Sequence, residues 1–401
     1  IHPQLRKLQK DLENKCNISK IASLGNPLYN KNYRNNPSIL ISHYNHSHLN
    51  QTTSTTGTNN AHENEHDKDK TVPETETETE AEIEYKNVII DVGKTFRETA
   101  LRWMPHHSVY NIDAIVITHE HADAMLGLDD LRGFQAKMFS SSSIPVYLSS
   151  KCLDRVKQQF DYLVPKHHRD TGTGTDTNAD TKIRINSSNS NSCGCNEIAD
   201  PDDDDDDDKQ KSSLILPPPG TPVVKRAVAS LDFKVVHYYK PFDAAGLKMT
   251  PLPVMHGEDF ICNGYAFSIQ NRRNSKHINN NTNSRTTTNV VYLSDISRMI
   301  PKTQEFILKN LPQPTDILII DSLNMEKDHP VHFSLRQAME LVDVLRPART
   351  FIVGMNCDDF LEHDEMNEHL KKIMKERKRG NDVDDNDYDD NVPSVQLAHD
   401  G

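Results

Sequence analysis

The sequence predicts an α/β sandwich. Nine short apolar, β-branched runs punctuate the chain, stretches with helical periodicity lie between and after them, and polar residues collect where the runs end. In chain order, residues 87–93 (NVIIDVG) read as a buried strand followed by a helix over KTFRETALRWM. Residues 112–121 (IDAIVITHEH) are a second strand running out at His119, and residues 144–150 (IPVYLSS) a third, with a helix from Lys151. Strands are then expected in DFKVVHYY, LKMTPLPVMHG, GYAFSIQ, VVYLSDIS, TDILIIDSL and RTFIVGMNC. A helix is expected over 334–345, where Ser334 caps the start and Ala338, Leu341 and Val342 recur at helical spacing, and another over 364–375.

The chain has 401 residues, but only 35% are hydrophobic, and low-complexity stretches interrupt it. Residues 45–84 end in a Thr-Glu repeat, 169–213 are Thr, Asn, Ser and Asp, 271–288 are Asn, Arg and Thr, and 376–401 form an acidic tail. Such segments bury too little apolar area to offset chain entropy and are expected to be disordered. Residues 85–375, less the insertions at 169–213 and 271–288, form the expected catalytic domain, to which 1–44 contributes an N-terminal part; roughly 250 residues suit one domain.

The net charge of −13 sits largely in those segments, since fourteen aspartates fall within 200–208 and 382–390. The folded part is near neutral, which argues against a nucleic-acid groove. Six scattered cysteines form no disulfide framework and favour a reducing compartment, the cytoplasm by default. No apolar run approaches the ~20 residues that span a bilayer, so no membrane partner is expected.

Four chemistry-bearing residues follow apolar runs: His119, His256, Asp295 and Cys357. Alternate residues at a strand end point the same way, so His119 and His121 can face one ion, with Asp123 following from the loop. Imidazole and carboxylate suit a divalent ion such as zinc, manganese or iron.

The series THEHADAMLGLDDLRGF, VMHG, YLSDIS, HPVHFSLRQAMEL and IVGMNCDD resembles the metallo-β-lactamase superfamily, most closely its PhnP-like phosphodiesterase branch and eukaryotic relatives. The resemblance implies a four-layer αββα sandwich and hydrolysis by a metal-bound hydroxide, with one or two divalent ions, zinc or manganese. It implies that His119, His121 and His256 hold the first ion, that Asp295 bridges to a second, and that Asp123 binds the second and shares in catalysis. Asp91 resembles a buried aspartate supporting the metal loop, and His332 the general acid that protonates a leaving oxygen; the alternative for His332 is a cap on the following helix. Arg132 could pair a phosphate oxygen, or bridge Asp129 or Asp130.

The pattern departs in three places. Ala124 stands where the motif often has a histidine, and Cys357 where a late histidine belongs; a thiolate there could still coordinate, or His363 could substitute. The opening glycine strand and cysteine pair are missing, and the chain begins with Ile1, so a truncated N-terminus is expected. The expected function is a phosphodiesterase acting on a small phosphate ester, with a homodimer allowed by the resemblance. Two other readings are a tRNA 3′-processing nuclease and a degenerate, non-catalytic metal-binding or scaffold protein.

Overall fold

Apolar residues along the strands alternate between two destinations, and this alternation builds the layers. The computed structural model describes residues 18, 21–22, 30–44, 85–135, 143–164, 228–270, 287–381 and 394–399. The insertions expected at 45–84 and 169–213 lie outside the described residues, as does 271–286.

The first sheet has the order β1(Ile39–Tyr44), β2(Tyr85–Ile90), β3(Ala114–Val116), β4(Ile144–Leu148), β5(Leu231–Val235). The β1–β2 pair is antiparallel, with Ile39 opposite Ile90, and the remaining pairs are parallel. The second sheet carries seven strands: β6(Phe242–Ala244), β7(Leu247–Met255), β8(Ile261–Gln270), β9(Thr287–Leu293), β10(Ile317–Asp321), β11(Arg349–Val353) and β12(Ser394–Leu397). It runs β12-β11-β10-β9-β8-β7-β6, parallel from β12 to β9 and antiparallel beyond.

Val88, Ile90 and Val116 point inward and meet Met249, Tyr265, Phe267, Val290 and Tyr292 of the second sheet. Ile89, Ile115 and Val146 point outward onto α1(Phe96–Trp103), the short turn α2(Ala122–Met125) and α3(Ser150–Gln159). On the far side Val291, Leu293, Leu318, Ile320 and Ile352 pack against α4(Pro301–Asn310), α5(Leu335–Leu345) and α6(His363–Asn381). Three apolar interfaces separate four layers, helix, sheet, sheet, helix. Across the middle, the Tyr265 hydroxyl donates to the Ile117 carbonyl at 2.7 Å, and Asn263 N–H donates to the Thr118 carbonyl at 3.0 Å. These two bonds set the end of β3 against β8.

Ser334 caps α5 as the sequence suggests, in a capping box with Gln337. His332 is therefore not needed as a cap. Ser149 caps α3, accepting from Cys152 N–H at 3.1 Å.

The acidic tail differs from expectation. α6 continues to Asn381, and Ser394–Leu397 pairs in parallel with β11 as an edge strand. The alternation in SVQL explains it: Val395 and Leu397 are buried on the helix-covered face, while Ser394 and Gln396 are exposed. Likewise Thr287 and Thr288, inside the expected 271–288 insertion, already belong to β9. Leu397→Ala should cost about 2–5 kcal/mol in urea unfolding. A midpoint equal to wild type would return this segment to an unstructured tail.

Candidate metal centre

Strand ends and the turns after them place every polar group of the site. After β2 the chain turns at Asp91 with φ 63°, a left-handed conformation that Asp tolerates better than most residues. The turn is stitched to α2: Val92 N–H donates to the Ala124 carbonyl at 2.8 Å, and Gly127 N–H to the Val92 carbonyl at 2.7 Å. A Cβ on Gly93 would collide with the Asp123 carbonyl, so only glycine lets the two turns approach this closely.

This turn sets the first histidine. The Asp91 carboxylate is buried and accepts from Thr118 N–H at 2.8 Å and from the Thr118 hydroxyl at 2.7 Å. The hydroxyl, its proton given to Asp91, accepts from His119 Nδ1 at 2.8 Å. The relay leaves His119 Nε2 as a bare lone pair, and that atom is buried without a hydrogen-bond partner. Burial pushes the Asp91 carboxyl well above its usual range, against the two Thr118 bonds, and burial pulls His119 down against the charges of Asp295 and Asp123. A cation at His119 would act on Asp91 in the same direction as the Thr118 bonds.

His256 follows β7 in a turn closed by its N–H on the Phe260 carbonyl at 2.8 Å. Its Nδ1 meets the Val331 carbonyl at 2.7 Å, which fixes that nitrogen as the donor and leaves Nε2 as an acceptor. The rings of His119, His121 and His256 stand edge to face, with centroids 4.7, 5.2 and 5.3 Å apart.

The structure gathers three overlapping donor sets, each with ligand atoms within 4.8 Å of one another: His119, His121 and His256; His119, Asp123 and Asp295; His256, Asp295 and His332. Asp295 has φ 50° and is buried. Three imidazoles, one with an orphaned, buried nitrogen, and two carboxylates fit a divalent ion.

Sequence reasoning passed over Asp321, which braces His332. It ends β10, is buried, and holds His332 Nδ1 at 2.7 Å. Burial pushes its carboxyl up to about 7, opposed by the His332 bond. His332 itself is pulled down by burial, but its bond to Asp321 and the charges of Asp321, Asp295 and Asp123 outweigh this and hold it above its usual range. The signal was present: residues 315–323 end an apolar run in Asp-Ser, as residues 87–93 end one in Asp.

Cys357 belongs to none of the donor sets among the described residues. Its loop is held elsewhere: Arg34 donates to the Asn356 carbonyl at 3.0 Å, and Asn356 N–H to the Leu323 carbonyl at 2.9 Å. His363 does not replace it, because its Nε2 faces the Leu397 carbonyl at 3.3 Å. Ala124 is buried in the core under the first sheet and offers no ligand atom. Asp130 pairs with Arg97.

Residues 86–196 match the family model of the beta-lactamase superfamily domain. A curated relative, an octanoyltransferase of Porphyromonas gingivalis (strain ATCC BAA-308 / W83), is 23% identical over 271 residues; the match covers 68% of this chain and 37% of that protein, so the chain spans well under half its length. Among solved structures, a diphosphatase of the PhnP family is similar with a TM-score of 0.46 and 23% identity, over 79% of this chain and 78% of that one. The metallo-β-lactamase fold protein YhfI of Bacillus subtilis is similar with a TM-score of 0.42 and 13% identity, over 79% and 86%. The chain has the metallo-β-lactamase fold, with its two sheets and flanking helices. No helix among the described residues is long and apolar enough to cross a membrane.

The relay from Asp91 yields a test. Asp91→Asn keeps the size and tolerates the same backbone, but its amide would donate to the Thr118 hydroxyl. The hydroxyl would then donate to His119 Nδ1 and move the ring proton to Nε2. Zinc affinity, measured by competition with a chromophoric chelator, should fall by about 10–100-fold; unchanged affinity would remove Asp91 from the design of the site.

Proposed function

We propose that this chain, which carries a beta-lactamase superfamily domain in a metallo-β-lactamase fold, is a divalent-metal-dependent hydrolase, a phosphodiesterase acting on a small phosphate ester. The reading is carried by one observation: three imidazoles and two carboxylates converge beside a histidine braced by its own buried aspartate. His119, His121 and His256 would hold the ion, with Asp295 on its rim. Asp123 and Asp295 are the donors left for a second ion, and with Cys357 in none of the donor sets and no ligand atom at Ala124 the favoured stoichiometry is one. A bound divalent ion supplies Lewis acidity and, by lowering the pKa of its water to about 7, hydroxide at neutral pH.

The chain's own groups do the rest. Thr118 and Val331 hold His119 and His256 in the tautomer that presents a lone pair. Asp321 holds Nδ1 of His332, leaving Nε2 to give a proton to the departing alkoxide. Asp123, half-buried, lies 3.6 Å from His119 Nε2 and is placed to orient the attacking water. The near-neutral folded part favours a small ester over a nucleic acid.

Metal content after reconstitution with zinc or manganese, read with turnover of bis(p-nitrophenyl) phosphate, tests the reading. One ion per chain with turnover abolished by chelation is expected, and Cys357→Ala should retain both. A protein that takes up no metal and shows no turnover would sink the proposal in favour of a non-catalytic scaffold. His332→Ala should lower kcat by about 10²–10⁴ on esters with poor leaving groups. The loss should be smaller for p-nitrophenolate, which departs without a proton, and metal content should stay the same. Loss of metal in that variant would make His332 a ligand instead of an acid.

A further inference from the structure

The three imidazoles are not held alike. His119 is fixed by the Thr118 hydroxyl and His256 by the Val331 carbonyl. His121 is exposed, and its ring makes no hydrogen bond among the described residues. Phe260 packs on it instead: the two rings stack with centroids 4.6 Å apart and an interplanar angle of 22°. The same phenyl ring meets His256 edge-on at 5.7 Å and His119 at 6.0 Å, so it touches all three imidazoles.

Phe260 is held in turn. Its carbonyl closes the turn after β7 by accepting from His256 N–H. Lys151 Nζ lies 4.7 Å from the ring centroid, within cation–π range. The same ammonium is 3.5 Å from Glu120, the residue between the two histidines, and the other Glu120 oxygen takes the Cys152 thiol at 3.7 Å. The contacts form a closed circuit, from His121 to Phe260 to Lys151 to Glu120 and back along the chain to His121.

We propose that Phe260 is a positioning residue of the metal centre: its stacked ring, backed by Lys151 and Glu120, sets the orientation of His121 in place of the hydrogen bond that this imidazole lacks. The inference rests on the reading of His119, His121 and His256 as the set that holds the ion. An exposed imidazole with no partner samples several rotamers and must lose that freedom when it ligates. A phenyl face removes the freedom beforehand, and because it neither donates nor accepts conventionally, it leaves both ring nitrogens available. Phe260 therefore acts through geometry alone, unlike Asp91, which acts through the tautomer.

The test uses the full chain, zinc affinity by chelator competition, the visible absorption of the cobalt(II)-loaded protein, and the melting temperature without metal. Phe260→Leu should lower zinc affinity about 10–100-fold and alter the cobalt bands, with the metal-free melting temperature close to wild type because Phe260 is only half-buried. Phe260→Tyr should restore affinity and spectrum, and Lys151→Met should weaken affinity a few-fold. Phe260→Leu with wild-type affinity and spectrum would overturn the proposal, as would a loss that Phe260→Tyr does not rescue. If Phe260→Leu does not fold, Lys151→Met decides, and an unchanged affinity and spectrum there overturns it. A wild-type protein that binds no zinc overturns the metal-centre reading itself, and this proposal with it.

Discussion

A carboxylate removed from water at the end of β2 is the interaction on which the site depends. Asp91 accepts two hydrogen bonds from Thr118 and thereby locks the end of β3 to the turn after β2. Burying a carboxylate is costly unless it is hydrogen-bonded and compensated by positive charge. Thr118 supplies the first; under the proposed reading, the ion at His119 supplies the second through the hydroxyl relay. The same turn needs a left-handed Asp91 and a side-chain-free Gly93, so strand pairing, loop path and imidazole tautomer are settled by one short segment.

Much of this was legible because the fold writes its polar chemistry at the ends of apolar runs. His119, His256 and Asp295 each close such a run, and the structure brings them together with His121 and Asp123. Asp321 closes one too, yet it drew no notice, because its meaning lies in a partner eleven residues later and a sequence does not display that pairing. Cys357 marks the limit of such reading. A strand end fixes where a loop starts, not where its third or fourth residue points, and Arg34 and Leu323 hold that loop at Asn356.

Composition misled where a short segment carried the signal. Four residues between charged stretches scarcely alter the average of a tail, but the alternation of Val395 and Leu397 is that of a strand with one buried face. α4 also went unread, although Pro301 at its first turn and buried Thr303 and Ile307 four apart are ordinary helix signals. Both elements lie at places where neighbouring low-complexity or loop-like sequence lowered the expectation of order. Packing against β11 and β7, not local propensity, decides them.

Ala124 ties these threads to the number of ions. Its side chain is buried under the first sheet while its carbonyl receives Val92, so the residue serves the turn that presents His119. An alanine there supplies the turn and brings no donor to the site. Under the proposed reading, three imidazoles face a dication whose charge is matched by Asp123 and Asp295. A second dication would share those same two carboxylates with no further anion among the donor sets and leave the cluster with excess positive charge. Alanine at 124 and the absence of Cys357 from the donor sets then belong together. Under the proposed reading each leaves the second position a donor short, and what remains is balanced for one ion with His332 and Asp321 free to manage the proton.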